Sequence, residues 1–368
     1  MKACVTGATG FIGAHVAKQL DERGDEVVVA YRTPDHLKWL SGVDYRQAKS
    51  DVLDLTSMRK AVEGCDVVFH IAGFVGSSPA DLVWDLNAKA PRVVVEAAAA
   101  EGVGRVVVTS SISAVGEATD DGPATEDTPY PEDGFGLHYP DSKRRGEEEA
   151  LAAGEGFGVE VVIVNPGYAL GAPIHDDQAE QCSARIIGSY LGGRLPAVAD
   201  APQCFVDVED AACGHLLAAD NGADGERYIL GGHNCSWADL IDRVADLSGI
   251  RRPVLVFPRQ VANVARMRER LGLPAAVAAE GLELMVKDWR FSSEKARREL
   301  GYEPRPLDET LRSSIRFYRE LLEADELGEN TSRLSALASG MALGGRFGLP
   351  GVLRLGERVA GRRFVAGA

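Results

Sequence analysis

Residues 6–13 read TGATGFIG. The five residues Lys2–Thr6 (KACVT) lead into this stretch as a short apolar run, and residues 12–23 follow it with Ile12, Val16 and Leu20 at helical spacing. Strand, glycine turn and helix in that order form the setting a phosphate-binding turn requires. Gly7 permits the tight turn, Gly10 lets backbone approach a pyrophosphate, and Gly13 lets the helix pack close to the sheet. The open N–H groups and partial positive charge of the helix start then favour phosphate, beside Thr9, Phe11 and Ile12. The spacing is G-x-x-G-x-x-G rather than G-x-G-x-x-G.

Outward from this turn, apolar runs alternate with helix-length segments. EVVVAY (26–31), VVFHI (67–71), RVVVTS (105–110) and EVVIVN (160–165) have the near-continuous hydrophobicity of strands buried on both faces. Between them lie helical stretches such as the alanine-rich 87–101, with Pro91 near its first turn. The alternation predicts an α/β fold: a doubly wound parallel sheet of the Rossmann type with a smaller C-terminal substrate lobe. Residues 1–170 are read as the dinucleotide-binding domain, its sheet completed by later segments near 203–216. Residues 171–325 are read as the lobe, with short strands at 227–230 and 254–257 and helices at 237–248 and 308–322. Residues 326–368 form a basic, apolar extension.

Composition narrows the function classes. The chain has 368 residues and a formal charge of −15, so it lacks the basic footprint of a nucleic-acid binder. Its six cysteines form no C-x-x-C pair, so no metal site is expected and buried free thiols are. The N-terminus opens directly as strand and turn, and no apolar run reaches membrane-spanning length, which predicts a cytoplasmic protein. Residues 331–368 hold six arginines and one acid, Glu357. That segment is read either as a packed extension or as a peripheral membrane contact.

Cofactor choice turns on the end of the second strand. There an acid binds a ribose 2′-hydroxyl, whereas an arginine accommodates a 2′-phosphate. The strand runs into Tyr31-Arg32-Thr33-Pro34, with no acid before Asp35, so NADP is favoured over NAD and Arg32 is the phosphate clamp. Asp51 stands just before the helix-length segment 53–60, and by its residues alone it reads as a surface Asp capping that helix.

Tyr139 and Lys143 stand in HYPDSKRRGEE, four apart and therefore on one helical face. A lysine ammonium beside a phenol lowers the phenol's pKa, which suits Tyr139 to general acid or base work. The strand of 105–110 runs on into Ser110, Ser111 and Ser113 before Gly116.

On these motifs the chain resembles the extended short-chain dehydrogenase/reductases of the NAD-dependent epimerase/dehydratase family, over roughly residues 1–325. The Y-P-D-S-K helix and Arg32 bring it nearest the dihydroflavonol-reductase and 3β-hydroxysteroid-dehydrogenase branch. The resemblance implies Ser111, Tyr139 and Lys143 as the catalytic set, with Ser110 and Ser113 as alternatives for the serine. It also implies Asp51-Val52 at the adenine edge, Ile71-Ala72-Gly73 and Thr109 along the cofactor, and Pro166 beside the nicotinamide. Asn87 matches a family asparagine that braces the site. FVDVEDAACGH (205–215) resembles a family segment that ties the lobe to the sheet, with hydrogen-bonding rather than metal-binding roles for Asp207, Asp210 and His215. Ser111-Ile112-Ser113 replaces the acid pair of sugar dehydratases, which disfavours that elimination.

The expected activity is reduction of a ketone or aldehyde, or oxidation of a secondary alcohol, on a small and possibly apolar molecule. Phe74, Val75, Trp84, His138, Tyr168 and Leu170 are candidate pocket liners. A sugar-nucleotide epimerase with retained NAD and a non-catalytic NADP-binding sensor are the alternatives, and a homodimer is expected.

Overall fold

The apolar runs pair with one another because each buries both faces. A computed structural model describes residues 1–270, 279–324, 357 and 363–367. Its first half runs β1 (Lys2–Thr6), α1 (Phe11–Glu22), β2 (Glu26–Tyr31), β3 (Arg46–Lys49), α2 (Leu55–Val62), β4 (Val67–His70), α3 (Ala80–Trp84), α4 (Ala90–Ala100), β5 (Arg105–Thr109), α5 (His138–Phe157) and β6 (Glu160–Pro166). The second half runs β7 (Tyr168–Leu170), α6 (Arg185–Leu191), β8 (Ala197–Ala199), β9 (Pro202–Asp207), α7 (Val208–Asn221), β10 (Arg227–Leu230), β11 (His233–Ser236), α8 (Trp237–Ser248) and β12 (Val254–Phe257). It closes with α9 (Gln260–Arg270), α10 (Ala279–Val286), α11 (Glu294–Leu300), α12 (Leu307–Glu323) and β13 (Val365–Ala366).

Seven strands form one parallel sheet in the order β10-β6-β5-β4-β1-β2-β3. β1 lies between β2 and β4, so the strand order reverses there, and ligands of open α/β sheets bind at such a switch point. One face is covered by α1, α7 and α11 and the other by α2, α4 and α5. Val5, Val29, Phe69 and Val107 fill the first core; Cys4, Val28, Val68, Val106 and Ile163 fill the second. Each such side chain contributes roughly 1.5–3 kcal/mol of burial before chain entropy is set against it. That is why the β-branched runs were legible as central strands.

The seventh strand corrects the domain reading. The sheet is completed by 227–230, not by 203–216: β10 pairs with β6, whereas β9 joins β7 and β11 in a separate three-stranded sheet. A parallel edge strand needs a helical crossover, and α7 supplies it by lying back across the sheet beside α1. The chain therefore leaves the sheet domain after β6 and returns to it for α7 and β10.

The lobe has its own core of Trp237, Tyr190, Tyr318, Leu240 and Ile241. Arg305 ties it to the start of α7. Its guanidinium donates to Asp210 at 2.9 Å and Glu209 at 2.8 Å, and its N–H donates to Asp210 at 2.7 Å. Among the described residues no group of three or more His, Cys, Asp or Glu is placed to hold a metal ion, and no helix is long and apolar enough to cross a membrane. Four of the six thiols are buried; Cys213 is exposed and Cys235 half-buried.

The C-terminal end is packed. β13 adds antiparallel to β12, and Arg363 pairs with Asp239 at 2.8 Å and with Asp242. Most of the basic segment 331–368, on which the membrane-contact expectation rests, lies outside the described residues.

Candidate active site

The glycine turn is built by close approach. Gly7 has φ +69°, and a Cβ on it would stand 2.6 Å from the Ala72 nitrogen. A Cβ on Gly13 would stand 2.1 Å from the Gly7 carbonyl oxygen, so α1 starts directly against the turn. Gly10 caps α1 in an extended conformation, with no side-chain cap and no acid in the first turn. The helix start is thus left to an outside anion. Thr6 locks β1 to β4: its hydroxyl oxygen accepts from the Ile71 and Ala72 N–H groups at 3.1 and 3.2 Å and meets His70 Nδ1 at 2.9 Å.

From this turn a cavity of about 610 Å³ runs along the C-terminal strand ends. Gly7, Thr9, Gly10, Phe11, Ile12 and Gly13 line its middle. Arg32, Asp51 and Val52 line the β2 end, and Ile71, Ala72, Gly73, Thr109, Tyr139 and Lys143 the β4–β5 end. Volume, glycine cradle and uncapped helix start all fit a dinucleotide.

Three expected cofactor or catalytic residues lie off this lining. Pro166 is buried as the last residue of β6, opposite Leu230 in register, so its pairing with β10 removes it from the cavity wall. Asn87 is buried behind the wall. Its amide accepts from the Phe74 N–H at 2.9 Å, and its NH2 donates to the Phe74 carbonyl at 2.8 Å and the Ser142 hydroxyl at 3.1 Å. It braces the loop after β4 against α5. Ser111 stands just behind the wall, near enough to the Tyr139 phenol for its hydroxyl to draw the phenol's pKa down. The Ser113 N–H and hydroxyl both donate to Ser111 Oγ, at 3.2 and 3.0 Å.

Among the candidate pocket liners, Phe74 and Val75 reach the cavity. Trp84 donates to His138 Nδ1 at 3.1 Å just before Tyr139. Tyr168 and Leu170 do not line it. Leu170 is fully buried, and Tyr168 packs edge-on to Phe205 and Trp237 while its hydroxyl donates to the Ser183 carbonyl. Both are lobe core because β7 belongs to the lobe's sheet.

Asp51 accepts from the Leu53 N–H at 3.0 Å, an Asx-type turn, while Asp54 rather than Asp51 caps α2 by accepting from the Ser57 N–H at 3.0 Å. Ser110, the alternative serine, lines the cavity, and so do Thr33, His36, Ser50, Leu86 and Gln181, which were not singled out in the sequence. Gln181 comes from the lobe, where no local pattern announces it. His36 was within reach, four residues past Arg32 and stacked on Trp39 at 4.1 Å.

Electrostatics separate the two key groups. Burial pulls Lys143 down to about 8, and Glu147 one turn on works against that fall. The Lys143 ammonium donates to the Thr109 carbonyl at 2.9 Å, and a Cβ on Gly73 would stand 3.0 Å from its Nζ. Burial pushes the Tyr139 phenol above its ordinary value, and the Ser111 hydroxyl draws it only part of the way back. The expectation that Lys143 lowers this phenol is thus outweighed by desolvation in the protein alone. His215, in α7, meets the Thr109 hydroxyl at 2.8 Å through Nε2 and the Ala211 carbonyl at 2.6 Å through Nδ1. A carbonyl partner requires a proton on Nδ1, so Nε2 accepts from Thr109 and steadies the strand end under Lys143.

A doubly wound sheet with a glycine phosphate turn at its switch point and a Tyr–Lys pair beside it defines a dinucleotide-binding enzyme. The chain belongs to the NAD dependent epimerase/dehydratase family, which it matches over residues 3–231. It is 30% identical to "Sterol demethylase protein B" of Methylococcus capsulatus over 87% of this chain and 99% of that one. A "Putative dihydroflavonol 4-reductase" of Synechocystis is 29% identical over 86% and 94%. A solved nucleoside-diphosphate-sugar epimerase from Pseudomonas aeruginosa superposes with a TM-score of 0.72 at 26% identity, covering 87% of this chain and 98% of that one. The chain is accordingly an NAD(P)-dependent enzyme of the oxidoreductase type, in the extended short-chain dehydrogenase/reductase branch.

Proposed function

We propose that this enzyme is an NADP-dependent reductase that converts an apolar ketone or aldehyde to its alcohol, with Tyr139 as general acid. The observation that carries the reading is the Tyr139–Lys143 pair on the wall at one end of the dinucleotide-sized cavity, with Ser111 just behind that wall. When bound, the nicotinamide supplies the hydride. Ser111 positions the substrate oxygen beside the phenol, and Tyr139 gives that oxygen its proton. The raised phenol pKa keeps this proton in place at neutral pH, as reduction requires. Lys143 would hold the nicotinamide ribose, and its ammonium stabilises the phenolate left behind. Phe74, Val75 and Leu86 give the substrate end an apolar character.

Loss of nicotinamide absorbance on mixing enzyme and NADPH with a panel of ketones and aldehydes tests the reading. Stoichiometric oxidation is expected with apolar carbonyls. A protein that purifies with NAD and interconverts a sugar nucleotide without net redox change is instead an epimerase.

NADP is favoured by Arg32, an exposed guanidinium for which no ion pair or hydrogen bond is found among the described residues, with Thr33 and His36 beside it on the cavity wall. A charge-assisted phosphate contact contributes about 1.5–3 kcal/mol. Arg32→Ala is therefore expected to raise the NADPH Kd roughly 10- to 150-fold, with NADH affinity unchanged. Equal losses for both cofactors in a fluorescence titration count against the 2′-phosphate assignment.

A further inference from the structure

Behind Lys143 the fold buries a second set of charges that the proposed reaction does not use directly. Glu147 follows Lys143 by four residues on α5, so the two share a face. Its side chain is 0% exposed. Arg227, the first residue of β10, brings its guanidinium to within 2.6 Å of the carboxylate. Asn165, near the end of β6, donates to the same carboxylate at 2.7 Å and to the Ser111 carbonyl at 2.9 Å through one NH2 group. The Ser110 hydroxyl faces the carboxylate as well. Two strands, the residue that follows β5, and helix α5 thus converge on one buried anion.

Isolated buried carboxylates are costly, and a structural pair at this depth is often no better than apolar packing. What distinguishes this anion is where its partners lead. One runs through Asn165 to the peptide that carries Ser111, and Lys143 stands one helical turn away. We propose that Glu147 is a positioning residue of the active site: it balances the Lys143 ammonium and, through Asn165, fixes the peptide that carries the Ser111 hydroxyl.

The charges around each group set the sign. Lys143 is faced by Glu147 from its own helix, by the Thr109 carbonyl from β5 and by His70 from β4. His70 is held neutral, its pKa brought down to about 3 by burial and by the lysine itself. Glu147 is faced by Arg227 and Arg144, and the Tyr130 phenol lies close enough to feel its charge. Burial pushes the Glu147 carboxyl up, and the guanidinium against it favours the ionised form. Removing this anion leaves desolvation of Lys143 unopposed, so the ammonium is lost at lower pH.

The inference rests on the roles proposed above for Ser111, Tyr139 and Lys143, and a substrate-free measurement separates the two. Lysine Cε/Nζ NMR of the NADP-bound enzyme follows Lys143, assigned by the signal missing in Lys143→Arg. Glu147→Gln is expected to lower its titration midpoint by about one pH unit, a tenfold change in the equilibrium. Glu147→Asp, which keeps the charge, is expected to restore most of the shift. Where a carbonyl substrate is found, the alkaline limb of kcat moves down in parallel in Glu147→Gln, while the NADPH Kd at acid pH stays within about twofold. Should Glu147→Gln alone not fold, Glu147→Gln with Arg227→Gln removes both members of the pair, and a smaller downward shift is expected because a nearby cation is lost as well. An unmoved or raised Lys143 midpoint overturns the proposal, whatever the substrate panel returns. A panel with no turnover but a lowered midpoint overturns the reductase reading and leaves this one standing.

Discussion

Tyr139→Phe is expected to lower kcat for carbonyl reduction by about 10²- to 10⁴-fold, the range general acid catalysis contributes. The change removes one oxygen and leaves the ring in its place, so fold and NADPH binding are expected to persist. Residual turnover then comes from binding and orientation alone. Stopped-flow or steady-state absorbance with a panel substrate, beside a fluorescence titration of NADPH, measures both halves. A variant with full turnover removes Tyr139 from the chemistry. A variant without cofactor affinity makes the effect structural. If the chain is a sensor rather than an enzyme, wild type and variant differ in nothing but background.

The same two groups set the pH dependence. The phenol, raised by burial, holds its proton through neutrality. Lys143, brought down to about 8, carries its ammonium below that pH and loses it above. Reductive kcat is therefore expected to be level through neutral pH and to fall as pH rises past the Lys143 midpoint. A rate that climbs through that region contradicts the assignment of Tyr139 as the acid.

Gly13→Ala is expected to have a large effect for a single methyl group. Its Cβ would sit 2.1 Å from the Gly7 carbonyl oxygen and 2.7 Å from the Gly7 carbonyl carbon. Both are backbone atoms, and Gly7 is itself pinned against Ala72. No side chain can rotate away, so α1 must lift from the turn. Overpacking of this kind costs about 1–3 kcal/mol or more. A fall in Tm of several degrees follows. The displaced helix start no longer meets a pyrophosphate, and the Kd for NADPH and NADH alike is expected to rise more than about tenfold. Gly104→Ala, with nothing within 4 Å of the added carbon and an ordinary backbone conformation, serves as the control and is expected to leave both quantities unchanged.

Some of the site was legible because its residues lie near one another in the chain. The glycine turn spans eight residues, and Tyr139 and Lys143 are one helical turn apart, so spacing alone places each set on one surface. Other parts have no local signature. β3 is a polar edge strand, RQAK, with three of its four residues exposed, and it carries none of the hydrophobicity that announces a central strand. The helix predicted at 87–101 opens in a π-helical turn, Asp85–Lys89, before α4, and Asn87 is buried within that wide turn. Gln181 reaches the cavity from the lobe, and Arg227 reaches Glu147 from an edge strand far along the chain.

By itself the amino-acid order determined the parallel α/β architecture, the phosphate turn and the Tyr139–Lys143 face, because each depends on hydrophobic period, glycine placement or helical spacing within a few residues. The tertiary structure alone decided that 227–230 rather than 203–216 closes the sheet, and that Tyr168 and Leu170 belong to the lobe's core. It also decided that Val365–Ala366 pair with β12 and that a buried carboxylate stands one helical turn from Lys143. A segment's own side chains state how much of it must be buried. Which distant strand or charge meets it is settled only when helices such as α7 carry the chain back across the sheet.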